Sequence, residues 1–263
     1  MTAALLPLRP GNEGSVVFVF DIGGNIFYAR GIVALLPDRI GCHGLRPGPG
    51  MLAGRSVEVT ALAESCAKAI ADARLPRPIH LVGFSFGGLL AYETARHLDP
   101  DGTKGITAWV LDMIPERPRG LTLVKEVLRQ PYGFLSHLKQ KLIRVMRRNE
   151  TSVLHTYGFA RFDLNSHPKP YREFIAKFYG AMSRHHARAW PGGHVRLICM
   201  SDTQDIRSLQ SDLGWGCLVP GGVHVTQLRG SHNDLVKEPS ALAAVATALD
   251  AAIPRHKIAE ASP

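Results

Sequence analysis

The sequence has few cysteines and no long apolar run. Its four cysteines lie far apart in 263 residues, and none forms a Cys-x-x-Cys pair or another metal-ligand spacing. We therefore expect free thiols, a reducing compartment and no metal site. No apolar run approaches the roughly 18 residues of a membrane-spanning helix, and residues 1–9 lack the basic segment of a signal peptide. These absences predict a soluble, cytoplasmic protein.

The sequence also lacks a linker or an internal repeat, which favours one domain spanning 1–263. Apolar runs of strand length alternate with segments of helical periodicity. This alternation predicts an α/β fold with a mostly parallel central sheet and helices on both faces. The predicted strands are Ser15–Phe20, Arg39–Leu45, His80–Phe84, Ile106–Met113, His194–Met200 and Val223–Leu228, and the predicted helices are Asn25–Leu36, Val57–Ala73, Leu89–Leu98 and Leu242–Ile253.

Positive charge is concentrated in one segment of the chain. The formal net charge is +9, and Glu116–Trp190 holds 15 Lys or Arg against 5 Asp or Glu. This segment interrupts the alternation, and we predict amphipathic helices at Leu121–Leu128, Phe134–Arg148 and Tyr171–Ser183. A helical insertion at about 116–190 would form a lid over the sheet edge. We expect its basic residues to face either an acidic partner or only solvent. Its histidines, including His185, are expected at the surface.

The most informative stretch is Gly83-Phe84-Ser85-Phe86-Gly87, between a predicted strand and a predicted helix. This is the arrangement of a nucleophile elbow, whose serine has a strained backbone. The strain requires small residues two positions before and after the serine, and Gly83 and Gly87 meet that requirement. Ser85 is therefore the candidate nucleophile.

A second turn follows the first buried strand, at Asp21-Ile22-Gly23-Gly24. Backbone amides beside paired glycines can approach a ligand closely. The turn could supply one donor of an oxyanion hole, with the Phe86 amide as the other. The alternative is an ordinary strand-to-helix turn.

Two aspartates and one histidine could complete the site. Asp112 ends one predicted strand and Asp202 follows another, so both are expected at the same sheet edge as Ser85. The residues alone leave open which of the two is the acid. His232 lies in a loop after the last strand and could take a proton from the serine. The chain order serine, acid, histidine is that of α/β-hydrolases.

The sequence resembles the thioesterase domains that end nonribosomal peptide and polyketide assembly lines, within the α/β-hydrolase superfamily. The likeness covers almost the whole chain through motifs that are jointly specific. They are the strand, Gly-Gly turn and helix of Phe18–Leu36, the elbow and Leu-Ala-Tyr-Glu of Gly83–Glu93, the strand-end Asp112, Gly214-Trp215, Gly230-Ser231-His232 and Glu238-Pro239.

This resemblance implies a role for each site residue. Ser85 would be the nucleophile, His232 the general base and Asp112, rather than Asp202, the orienting acid. The amides of Ile22 and Phe86 would form the oxyanion hole. The partner would be an acidic acyl or peptidyl carrier protein, with no nucleic acid involved. No cofactor is expected, because a phosphopantetheine thioester is already activated.

One departure from the family affects the oxyanion turn. The family often has His-Pro before this turn, where this chain has Phe20-Asp21, so the shape and charge of the turn are open. Two other functions also remain possible. A carboxylester hydrolase or lipase would use the same residues, and a non-catalytic binding module could share the fold.

The basic run Lys139, Lys141, Arg144, Arg147 and Arg148 is the candidate carrier-docking face. Charge reversal at Arg144 and Arg147 should slow reaction with a carrier-bound thioester at low salt, because electrostatic attraction steers the encounter. The defect should shrink as salt rises. Rates with N-acetylcysteamine thioesters serve as the control, since these have no acidic surface. Equal losses on both substrates would contradict docking.

Overall fold

A computed structural model describes residues 3–48, 57–115, 167–202 and 211–255. Its strands are β1 (Ala4–Arg9), β2 (Ser15–Val19), β3 (Gly41–Arg46), β4 (Ile79–Phe84), β5 (Ile106–Leu111), β6 (Val195–Met200) and β7 (Val223–Leu228). They form one seven-stranded sheet in the order β1-β3-β2-β4-β5-β6-β7. β1 is antiparallel to β3, and every other pair is parallel. The carboxyl ends of the six parallel strands therefore lie at one edge.

Helices cover both faces of this sheet: α1 (Ala29–Leu35), α2 (Val59–Ala73), α3 (Phe86–Leu98), α4 (Lys169–Arg184) and α5 (Pro239–Ala252). Successive strand residues point to opposite faces. Val17 and Val19 join a core cluster with α2, α3 and α4, whereas Val16 and Phe18 join a second cluster with α1 and α5. Burial on both faces explains why these strands are continuously apolar.

The predicted α/β fold and mostly parallel sheet are confirmed, with two differences. β1 was not predicted, because its apolar run is short, is interrupted by Pro7 and does not alternate with polar residues; its side chains are largely exposed. The helix predicted from Asn25 begins at Ala29 instead. The Asn25 carbonyl accepts a hydrogen bond from the Asp21 amide at 2.9 Å, so Asn25 belongs to the turn at 21–25 and not to the helix.

Most of the predicted lid lies outside the described residues. This applies to the helices predicted at Leu121–Leu128 and Phe134–Arg148 and to the candidate docking residues Lys139, Lys141, Arg144, Arg147 and Arg148. The third predicted helix is present as α4. All four cysteines are described and free, and only Cys217 is exposed. Among the helices that the structure describes, none is both long and apolar enough to span a membrane.

A buried carboxylate ties α3 to the segment that follows α4. Glu93 is fully buried, and its Oε2 accepts hydrogen bonds from Arg96 Nε at 3.0 Å and Nη2 at 2.8 Å. Its Oε1 lies 2.9 Å from Nε2 of His185. The adjacent Tyr92 hydroxyl donates to the Arg188 carbonyl at 2.7 Å. The expectation that His185 lies at the surface is therefore wrong, since only 8% of its side chain is exposed.

Replacing Glu93 with glutamine should destabilise the fold by about 3 kcal/mol, because Arg96 would be left without its carboxylate partner. Burial alone would raise the pKa of Glu93, but hydrogen bonds from His185 and Arg96 outweigh it and hold the pKa below 4.5. The ion pair therefore stabilises the fold above about pH 4.5, and its contribution is lost as the pH falls through the lowered pKa.

Urea unfolding of Glu93→Gln at several pH values would measure this loss, which should shrink on acidification. Asp72→Asn is the matched control, since Asp72 pairs with Lys68 on an exposed helix face. That change should stay within about 0.5 kcal/mol of the parent. Equal unfolding midpoints for the two variants would contradict a stabilising role for Glu93.

Candidate active site

Ser85 lies at the sharp turn between β4 and α3. Its backbone has φ 55° and ψ −126°, a region that non-glycine residues rarely adopt. The Ser85 amide donates to the Leu111 carbonyl of the neighbouring strand at 2.9 Å, which holds the turn against the sheet. In the stretch 79–95, all of which is described, every residue except Ser85 is buried. The turn thus presents one hydroxyl from an otherwise closed surface.

The glycines around Ser85 allow this turn to form. A Cβ on Gly83 would overlap the carbonyl oxygen of Gly87. A Cβ on Gly87 would stand 2.9 Å from the carbonyl oxygens of Val19 and Phe20 on β2 and just after it. All three carbonyls belong to the backbone and cannot move aside easily, so side chains are excluded at both positions. The structure agrees with the sequence-based interpretation of this motif.

Asp112 and His232 meet at the carboxyl edge of the sheet. Asp112 is fully buried and also has a positive φ of 55°. Its Oδ1 accepts a hydrogen bond from the Met200 amide at 2.8 Å, and its Oδ2 lies 2.7 Å from Nδ1 of His232. Because an ionised carboxylate only accepts, Nδ1 is the donor and Nε2 of the neutral ring is left as the acceptor.

His232 also packs directly beside the elbow. Its ring stacks on Phe84, the residue before Ser85, with centroids 4.5 Å apart and planes at 25°. Only 7% of His232 is exposed. Asp202 is exposed instead, and its Oδ1 accepts a bond from the neighbouring Ser201 hydroxyl at 3.3 Å. The structure thus places Asp112, not Asp202, against the imidazole.

The turn after β2 is held together by Asp21. Its Oδ1 accepts hydrogen bonds from the amides of Gly23 at 2.8 Å and Asn25 at 3.3 Å. The Asp21 carbonyl accepts from the Gly24 amide at 2.9 Å. Among the hydrogen bonds of the described residues, none is donated by the Ile22 amide or the Phe86 amide. Both predicted oxyanion donors are thus available to a ligand.

The Asp21 carboxylate has an altered acidity. Burial raises its pKa to about 6, against the opposing effect of the bonds from the Asn25 and Gly23 amides. The departure from His-Pro at this position therefore leaves a well-formed turn, in which the titratable group is a carboxylate and not an imidazole.

An aromatic row on α4 covers the same turn. Phe178 packs edge-on against Phe20 at 6.1 Å and Phe86 at 5.4 Å between centroids. Phe174 lies against Gly24, and the Tyr171 hydroxyl lies against Gly23. The sequence predicted this helix but not that it packs against the turn after β2. Aromatics at helical spacing were the available signal, since positions 171, 174 and 178 share one face.

Comparisons with solved structures identify thioesterase domains with the same fold. The NocB thioesterase domain, in covalent complex with a fluorophosphonate nocardicin G analogue, has a TM-score of 0.63 at 20% identity and covers 97% of this chain and 100% of its own. The Vlm2 thioesterase domain bound with a tetradepsipeptide has a TM-score of 0.57 at 18% identity, with 95% and 97% covered. AB3403, a four-domain nonribosomal peptide synthetase, has a TM-score of 0.65 at 21% identity, and the match covers 95% of this chain and 20% of AB3403.

Sequence comparisons give the family. No curated protein matches the chain. The sequence pattern of the alpha/beta hydrolase family, however, matches residues 23–248. This range runs from the Gly-Gly turn through the elbow and His232 into α5. With the sheet order and the elbow on β4, the match establishes that the chain belongs to the alpha/beta hydrolase family.

Proposed function

We propose that this chain is a serine thioesterase that releases an acyl or peptidyl chain from a phosphopantetheinyl carrier protein. The observation that carries the proposal is the partly exposed Ser85 on its strained turn, next to the hydrogen-bonded pair of His232 and Asp112. The structural likeness to NocB, Vlm2 and AB3403 supports the choice of a thioester substrate. We propose that the whole chain acts as one domain.

Each residue has a distinct role in this proposal. Ser85 is the nucleophile, and Nε2 of His232 is the general base that takes its proton. Asp112 holds the imidazole in the tautomer with Nδ1 protonated, since its Oδ2 lies 2.7 Å from that nitrogen. The amides of Ile22 and Phe86 bind the oxyanion, and the second of these opens α3, whose N-terminal end favours negative charge.

The reaction proceeds in two acyl transfers. The Ser85 oxygen bonds to the thioester carbon as its proton moves to His232, and the carbonyl oxygen becomes an oxyanion. Collapse of this intermediate breaks the carbon–sulfur bond, and the imidazolium protonates the leaving thiolate. Water, or a nucleophile within the acyl chain, then attacks the acyl-enzyme while His232 takes its proton. The second collapse returns that proton to Ser85 and yields an acid, lactone or lactam.

The proposed partner is an acidic carrier protein, which would approach the basic insertion at about 116–190. The thioester arrives activated, so the proposed reaction uses no cofactor. Vlm2 is bound with a depsipeptide and NocB with a nocardicin G analogue, which favours a peptidyl or depsipeptidyl substrate for this site too. Rates on carrier-linked thioesters and on simple esters of matched acyl length would test this choice. Faster ester cleavage would instead indicate a carboxylester hydrolase.

Replacing Ser85 with alanine should reduce thioester turnover by about 10⁴-fold or more, because the acyl group loses its point of attachment. The variant should also resist labelling by a fluorophosphonate, measured by intact mass. Ser183→Ala is the control, since that hydroxyl donates to the Tyr179 carbonyl within its own helix, α4. Labelling of Ser85→Ala equal to the control would contradict the nucleophile assignment.

Asp112→Asn should lower kcat by about 10⁴-fold with the fold intact. Asparagine can still accept from the Met200 amide, but its amide nitrogen would face Nδ1 of His232 and favour the wrong tautomer. Asp202→Asn should change kcat by only a few-fold, because Asp202 is exposed and directed to Ser201. A larger loss in Asp202→Asn than in Asp112→Asn would transfer the role of acid to the later strand.

A further inference from the structure

The carboxylate of Asp21 lies immediately before the Ile22 amide and has no cationic partner among the described residues. One of its oxygens is engaged by the amides of Gly23 and Asn25. The other oxygen has no hydrogen bond to any described residue. The side chain is partly exposed, so a ligand can reach it. A half-buried charge of this kind is normally paired, since removing it from water is costly.

Polar groups from two elements converge beside this carboxylate. The point that a Cβ of Gly23 would occupy lies 2.8 Å from the Tyr171 hydroxyl, 2.8 Å from Nδ2 of Asn25 and 3.1 Å from Oδ1 of Asp21. A side chain at position 23 would therefore crowd the Tyr171 hydroxyl and Asn25 Nδ2, so glycine keeps this space open. Neither the hydroxyl nor Nδ2 makes a hydrogen bond with another described residue. Two polar atoms without a hydrogen bond to a described residue, the Tyr171 hydroxyl and Asn25 Nδ2, therefore lie close to the Asp21 carboxylate.

Aromatic rings complete this surface. Tyr171 and Phe174 stack with centroids 6.2 Å apart and planes at 19°, and both are partly exposed. Phe174 lies against Gly24 of the same turn. A carboxylate, a phenol oxygen and the faces of aromatic rings all attract cations. An anionic group would be repelled here, and an alkyl group would leave the carboxylate uncompensated.

We propose that the acyl chain accepted by this site carries a protonated amine near its thioester carbonyl, which binds to Asp21 with Tyr171 as a second contact. This inference rests on the proposed function, because it identifies the substrate class of the same site. The ammonium group supplies the positive charge that no described residue provides for Asp21. Its binding places the carbonyl beside the Ile22 amide, because Asp21 and Ile22 are adjacent in the same turn. Asp21 is thus a specificity-determining residue.

Ammonium binding requires ionised Asp21, so the preference should depend on pH. Among the described residues, the titratable groups whose pKa the Asp21 charge affects are the hydroxyls of Tyr28, before α1, and Tyr171 on α4. Burial and the charge of Asp21 raise the pKa of both, so both are uncharged near neutral pH. Because the pKa of Asp21 is about 6, the preference should be present above that value and fade below it. A ratio of two ligands cancels any effect of pH that the two ligands share.

The test compares β-alanyl with butyryl ligands, which differ only in an ammonium for a methyl group. Ketone analogues of their N-acetylcysteamine thioesters, with methylene for sulfur, cannot be cleaved, so calorimetry reports binding whether or not the chain is a thioesterase. At about pH 7.5 the β-alanyl analogue should bind at least about tenfold more tightly. At about pH 5 the ratio should approach one.

Variants assign the preference to particular atoms. Asp21→Asn keeps an oxygen for the Gly23 and Asn25 amides but removes the charge, so the affinity ratio should fall to about one or below. Tyr171→Phe keeps the ring and should lower the ratio by a few-fold. Asp38→Asn, at an exposed carboxylate, is the control and should keep the parent ratio. Equal affinity of the parent for both analogues, or an unchanged ratio in Asp21→Asn, would overturn the proposal.

The ratio of kcat/KM for the two thioesters then reports whether the preference acts during turnover. It should follow the affinity ratio in the parent, Asp21→Asn and Asp38→Asn. Absence of turnover with both thioesters would count against the proposed function alone, because the binding ratio is measured independently. A parent kcat/KM ratio of one or less, with turnover present, would overturn the substrate class.

Discussion

The contact between Gly83 and Gly87, where α3 crosses the end of β4 without an intervening side chain, is the constraint on which the site depends. Because the two backbones touch, the chain must reverse within one residue, and Ser85 takes up the positive φ. The same reversal lifts its hydroxyl out of a buried stretch. It also leaves the Phe86 amide at the first position of a helix, where no intrahelical acceptor exists. Exposure of the hydroxyl and availability of the amide thus have a single steric cause.

Strain occurs a second time one strand away. Asp112 has the same φ of 55° as Ser85, and each residue is fixed by an amide bond to the next strand, Ser85 to Leu111 at 2.9 Å and Asp112 to Ile198 at 2.8 Å. Such conformations cost about 1–3 kcal/mol each and persist only where their surroundings determine them. The ladder from β4 through β5 to β6 provides those surroundings. Loss of pairing among these strands would therefore relax both residues together.

Local patterns in the sequence were sufficient to predict the sheet, because buried parallel strands are continuously apolar. They were also sufficient to predict the elbow, because the glycines at 83 and 87 indicate positions where a side chain would clash with the backbone. Patterns could not choose between Asp112 and Asp202, since both follow strands that end at one edge; the choice depends on where the His232 loop lies. The pairing of Glu93 with His185 spans 92 residues and has no local signal. The contact between the Tyr171 hydroxyl and Gly23 likewise has no local signal. The periodicity of the sequence locates the carboxyl edge of the sheet. Which side chains meet at that edge depends on contacts between segments that are distant in the chain.

The stacking of His232 on Phe84 has a consequence for the entropy cost of proton transfer. A ring tied through Nδ1 at 2.7 Å and pressed against a phenyl face 4.5 Å away has little freedom to swing or tilt. In the proposed reaction the imidazole receives and returns a proton twice per cycle. A ring already held in place need not be ordered again at each transfer, and its entropy is lost once, when the chain folds. In the proposed reaction, Phe84 would thereby contribute to the rate by holding His232 in place.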